Sequence, residues 1–175
     1  MHRKSIFNLF ICLAALTAVQ WSSTAHAQDS CQPVFDALTK VAATPNHSYS
    51  THTMQGKTIS SETVYARDKA FIRVNGKWTV SPDSPKEILE QQNENRRNGT
   101  PACKIVRQES LNGQPATVYS LHNKTENGTE DAQIWIAKST SLPLREEMDM
   151  DVGGGNLGKS HVSIRYEYGN IQPPM

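Results

Sequence analysis

Asp149, Asp151 and His161 fall on the polar positions of one strand–loop–strand segment near the C-terminal end. Two carboxylates and an imidazole could hold a divalent cation. The calcium-loop pattern is not met, because Ser160 stands where a bidentate glutamate is needed. The plainer reading is a solvated charged face. Gly153, Gly155 and Gly158 spell GxGxxG, but a dinucleotide site requires that motif between a strand and the start of a helix. Here a strand follows, so phosphate binding is not expected. Glu146 interrupts an otherwise apolar strand face, placed either against Tyr166 or at a sheet edge. As a general acid it would need a partner that the sequence does not name. His47, His52 and His122 are scattered and read as surface residues. There is no GxSxG elbow and no HExxH. The expectation is a protein that is not an enzyme, with no catalytic residues, no metal and no cofactor.

The redox chemistry is simpler. His2, Arg3 and Lys4 precede an apolar stretch from Ile6 to Val19, and Ala25-His26-Ala27 places small residues at a cleavage site. Residues 1–27 therefore read as a signal peptide that is cleaved, leaving 28–175 as a single domain. A lipoprotein signal would need a small residue before Cys12, where Ile11 sits. Export removes Cys12 and leaves Cys31 and Cys103, which can form one intrachain disulfide in an oxidising compartment. Neither belongs to a CxxC motif. The long loop would place the entropic stabilisation near about 4 kcal/mol. Loss of Arg3 and Lys4 takes the formal charge from +1 to −1. That argues against nucleic acid as the partner, since phosphate binding needs a clustered positive surface. No later segment is apolar enough for a membrane span.

The elements that must position these residues are mostly strands. Ser30 can cap a first helix that carries Val34, Leu38 and Val41 on one face, with Thr44-Pro45-Asn46 ending it. Ser84-Pro85-Lys86-Glu87 is a capping box opening a second helix. Only Ile88 and Leu89 there are apolar, so that helix is expected to touch the sheet by its first turn, and Asn98-Gly99 reads as its stop. Asn75-Gly76, Asn112-Gly113 and Asn127-Gly128 are expected type I′ hairpin turns. Leu144 to Val152 and His161 to Tyr168 alternate apolar and polar with period two. Pairing them so that residue numbers sum to 312 sets Arg145 against Glu167, Glu147 against Arg165, Met148 against Ile164 and Asp151 against His161. The expected order is helix, three or four strands, helix, five strands: an α+β fold built from an antiparallel sheet curling around two helices.

The segment Ile134-Trp135-Ile136-Ala137-Lys138-Ser139-Thr140-Ser141-Leu142-Pro143-Leu144-Arg145 resembles a strand–turn–strand that commonly reads W-[IL]-D-x-x-T-G-L-P-L-R. That pattern belongs to the periplasmic lipoprotein carrier and receptor superfamily, the LolA-, LolB- and RseB-like half-barrel proteins. Tyr166 to Pro174 resembles the same family's closing strand and exit. Ala137 stands where the family usually has Asp, and Ser141 where it usually has Gly. The resemblance implies a curved open sheet with two helices on its concave side. It also implies a monomeric periplasmic protein, without cofactor, that holds a hydrophobic or amphiphilic ligand such as a lipoprotein's acyl chain. The carriers' arginine on an early strand would correspond to Arg67 or Arg73.

The residues expected to line the cleft are the apolar faces of the strands. These are Val64, Ile72, Val74 and Trp78 in the first half, and Ile134, Ile136, Leu144, Met148 and Met150 in the second, with Val162, Ile164 and Tyr166 on the last strand. Burial of acyl methylenes there would contribute about 0.8 kcal/mol each. The alternative is that these residues are simply core. A second function class, an envelope protein-interaction or stress-sensor module without lipid, would use sheet edges or the charged outer face instead.

Overall fold

The computed structural model of the chain describes residues 31–153 and 158–174. The expected leader over 1–27, the capping role of Ser30 and most of the glycine-rich loop lie outside the described residues. Helix α1 spans Gln32–Ala42, with Cys31 at its N-cap and a proline in its first turn. It buries Val34, Ala37 and Val41. Four strands follow: β1 (Asn46–Met54), β2 (Lys57–Ala66), β3 (Lys69–Val74) and β4 (Lys77–Val80). Helix α2 covers Pro85–Arg97. Five strands close the chain: β5 (Ala102–Leu111), β6 (Gln114–Thr125), β7 (Gly128–Ala137), β8 (Pro143–Asp151) and β9 (Lys159–Tyr168).

Among the described residues nine strands form one antiparallel sheet in the order β4-β3-β2-β1-β9-β8-β7-β6-β5. Every neighbour pair is a sequential hairpin except β1 with β9, which joins the two halves. The edges β4 and β5 do not pair with each other, so the sheet stays open. Helix α2 connects one edge to the other and must cross a face of the sheet to do so. This is the α+β half-barrel that the resemblance implies.

Local chemistry explains the joints. Ser84 N donates to Glu87 Oε2 at 2.7 Å and Glu87 N donates to Ser84 Oγ at 3.3 Å, the reciprocal capping box. Asn75-Gly76 and Asn112-Gly113 have the paired positive φ angles of type I′ turns. Asn127-Gly128 does not: only Gly128 is positive, at 150°. The Thr125 hydroxyl accepts from Asn127 N at 3.2 Å and sets that turn instead. Gly128 is required there by crowding, since a Cβ would lie 2.0 Å from the Asp151 carbonyl oxygen. Gln55-Gly56 and Arg67-Asp68 also adopt paired positive φ, with sequences that the Asn-Gly signal does not detect.

The last hairpin pairs with numbers summing to 310, not 312: Arg145 faces Arg165, Met148 faces Val162, Asp149 faces His161 and Asp151 faces Lys159. A two-residue shift keeps every side chain on its expected face, so facial matching alone cannot reject it. The observed register sets Asp151 against Lys159 and Asp149 against His161. The like charges of Arg145 and Arg165 are each relieved by a glutamate two residues along the same strand, Glu147 and Glu167.

Candidate functional site

Period two divides the sheet into two faces, and the helices cover one of them. Beneath α1, the disulfide between Cys31 and Cys103 ties the helix start to β5. Val34 and Ala37 pack there on Leu121, Ala132, Ile134 and Ile136. Further along the same face the packing opens into a cavity of about 370 Å³, within the range of small-molecule pockets. Helix α1 contributes Phe35, Leu38 and Val41 to its lining. Helix α2 contributes Ile88, Gln92 and Asn95. Those three lie at i, i+4 and i+7, so α2 contacts the cavity along three turns and not by its first turn alone, because Gln92 and Asn95 continue the stripe that Ile88 begins.

The sheet supplies a greasy wall and a polar one. Met148, Met150, Ile164 and Tyr166 line the cavity as expected for the cleft. Ile134 and Ile136 are on the same face but sealed under α1. Val162 shares that face by its pairing with Met148. Ile72 and Val74 pair with Thr63 and Ser61 on it, nearer the β4 edge and outside the lining. Three expected residues lie elsewhere. Val64 and Trp78 pack with Ala66, Phe71 and Ile171 on the outer face. Leu144 packs with Ala116, Val118, Trp135 and Ala137, also outside, because the β7–β8 register shifts between Trp135 and Ile136 and turns Leu144 over. Alternation read within a strand cannot show which of its faces joins the neighbour's core.

The polar wall centres on Glu146, which is 5% exposed. Tyr166 donates its hydroxyl hydrogen to Glu146 Oε1 at 2.7 Å. The pKa of Tyr166 lies well above the ordinary tyrosine value, because burial disfavours the phenolate and the neighbouring Glu146 adds to the effect. Burial likewise raises Tyr65, which lines the cavity, and Tyr168, whose hydroxyl donates to the Pro143 carbonyl at 2.6 Å. Asn46, Asn123 and Glu130 complete this wall. Apolar patterning does not single out these three; the period-two spacing of Asn46 with Ser48 and Ser50 on β1 is the one sequence signal for them. Neither Arg67 nor Arg73 lines the cavity. Arg67 sits in the β2–β3 turn, and Arg73 pairs with Glu62 at 2.8 Å on the outer face.

The outer face carries the remaining charged chemistry. His161 is bracketed by Asp149 at 2.8 Å and Glu147 at 3.0 Å. The hydrogen bond that its Nδ1–H donates to the Asp149 carboxylate raises its pKa, with Glu147 adding to it and partial burial opposing. Asp151, expected opposite His161, faces Lys159 instead. Among the described residues no group of three His, Cys, Asp or Glu could hold a metal ion. His47 pairs with Glu62 and His122 with Asp131. His52 is half-buried, not a surface residue: it pairs with Val162 on the helix-bearing face, and its Nε2 is buried with no hydrogen-bond partner among the described residues.

No family model and no curated protein matches the chain. Among solved structures it is similar to the crystal structure of MucB, with a TM-score of 0.48 and 12% identity over 84% of this chain and 61% of that one. A Pseudomonas aeruginosa MucA/MucB complex gives a TM-score of 0.44 and 12% identity, covering 85% of this chain and 59% of that one. A DUF1329 family protein from Desulfovibrio piger gives 0.31 and 10%, covering 79% and 91%. The chain spans about three-fifths of the MucB structures.

Proposed function

We propose that the chain is an exported binding module of the cell envelope that holds the apolar part of an amphiphile between its helices and its sheet, without catalysis. The observation that carries this is the cavity of about 370 Å³ whose apolar wall joins Phe35 and Leu38 of α1 to Met148, Met150 and Ile164 of the sheet. Unbranched methionines adapt to a variable chain, and each buried methylene adds about 0.8 kcal/mol to binding. The Cys31–Cys103 disulfide supports an oxidising compartment, in keeping with the reading of residues 1–27 as a signal peptide. Helix α2, with a far end rich in polar residues, is the natural cover. Native mass spectrometry after detergent-free purification should show a co-purified lipid mass. A uniformly ligand-free protein that acyl chains do not protect on heating would overturn the reading.

A second reading is favoured by β5. It is an open edge of the sheet, and Ile105 and Val106 stand exposed at its bulge. An unpaired edge with exposed apolar residues can add a strand from a partner. Capture of one specific protein without extractable lipid would favour this module over the carrier.

A further inference from the structure

The apolar strip that the sheet offers to the cavity is narrow. It consists of two neighbouring strands, with Met148 and Met150 on β8 and Ile164 on β9. On one flank, β7 turns Ala132 and Ile134 into the core sealed under α1. On the other, β1 and β2 present hydroxyls, since Ser48, Ser50 and Thr63 line the cavity there. Paired strands lie about 4.8 Å apart, close to the thickness of one hydrocarbon chain. A sealed flank and a hydroxyl-bearing flank therefore leave room for one chain along β8 and β9.

The strip is also short. Its inner end is closed by buried Asn46 and by buried Glu146, which accepts the Tyr166 hydroxyl. At the other end Thr100 N donates to the Lys124 carbonyl at 2.9 Å and brings the far end of α2 to the row of Asn123, Glu130 and Met150. There Gln92 and Asn95, both exposed, form the mouth. Glu146 and Met150 lie on one strand, about 14 Å apart at about 3.4 Å per residue. An extended alkyl chain advances about 1.3 Å per carbon, so about eleven carbons span that distance. The volume agrees. At about 30 Å³ per methylene, a liquid water's share, the cavity of about 370 Å³ takes about twelve. Two sixteen-carbon chains would need roughly 960 Å³ on the same scale. We propose that the cavity takes one unbranched chain of about ten to twelve carbons and excludes lipids that must bury two or more. This rests on the binding reading above and names the class of its ligand: a single-chain amphiphile whose polar end stays at the Gln92 and Asn95 mouth.

The test displaces N-phenyl-1-naphthylamine from the full exported chain with lysophosphatidylcholines of increasing acyl length, all below their micellar concentrations. Affinity is expected to rise about four-fold per carbon up to about twelve carbons and then level off. Dihexanoyl phosphatidylcholine has the same headgroup and the same number of acyl carbons as the dodecanoyl lysolipid, split over two chains. It is expected to bind at least about ten-fold more weakly. Met148→Trp fills the strip midway and should lower the plateau by at least about two carbons; if circular dichroism shows that variant misfolded, the two series on the parent decide alone. Affinity that keeps rising to hexadecanoyl, equal binding of the two isomers, or a plateau unmoved in the folded variant overturns the single-chain limit and leaves the binding reading standing. Displacement by none of these lipids overturns both.

Discussion

Tyr166 and Glu146 sit on neighbouring strands with the tyrosine hydroxyl 2.7 Å from a carboxyl oxygen, both turned toward the helices. A buried carboxyl in a mostly apolar face is costly unless it is hydrogen-bonded. Tyr166→Phe removes one donor and leaves the carboxyl in place, so it should destabilise the fold by about 1–3 kcal/mol. Glu146→Gln keeps an acceptor of the same shape and should cost less. Urea denaturation of the two variants checks the order; a Tyr166→Phe protein as stable as the parent would refute the account.

The buried tyrosines also set an alkaline limit. Tyr65, Tyr166 and Tyr168 all have pKa values raised by burial. Below about pH 10 folded and unfolded chains both hold these protons. Above it the unfolded chain ionises while the folded chain does not, so stability falls with rising pH. As far as these groups go, stability should be flat from neutral pH to about 9 and decline beyond about 10. Ultraviolet absorbance at the tyrosinate band should rise together with unfolding, not before it, for these three residues.

The faces of the strands are legible in the sequence because period two is a local property: Met148 and Met150 share one face of β8, Ile164 and Tyr166 share one face of β9, and any pairing with an even sum of residue numbers brings the four together. Partners are less legible. The β8–β9 register differs by two residues from the expected one because such a slip preserves the faces and changes only which charges meet. Val64, Trp78 and Leu144 read as cleft residues because apolar clusters occupy both faces of this sheet, and a bulge inverts Leu144. That Asn46 Oδ1 and Asn123 Oδ1 are buried without a hydrogen-bond partner among the described residues is a product of tertiary packing, and nothing in their local sequence announces it.

Ser141 occupies the turn between β7 and β8 with φ of 57°, in the left-handed region, where the resembling pattern has glycine. Its amide donates to the Ala137 carbonyl at 2.9 Å, so the turn is held, and the crowding of the serine Cβ in this conformation is not relieved. Glycine tolerates that conformation freely, although it gains entropy in the unfolded chain. Ser141→Gly should stabilise the protein by about 0.5–1 kcal/mol, visible as a rise of a few degrees in Tm. A fall in Tm would show that the serine has a role beyond the turn.

Cys31 and Cys103, 72 residues apart in sequence, hold the start of α1 on β5, and α1 forms one side of the cavity. Replacing both with serine releases that end of the helix and restores the freedom of a long loop in the unfolded chain. The expected cost is about 2–5 kcal/mol. The effect should not be uniform, because the bond holds α1, whose Val34, Ala37 and Val41 are buried only while the helix stays on the sheet. Amide exchange should therefore speed up most in α1 and in the strand ends beneath it, with β1, β2 and β3 close to the parent. The parent under a reducing agent should reproduce the same pattern. Equal loosening across all nine strands would mean that the bond supports the whole sheet and not the helix that closes over it.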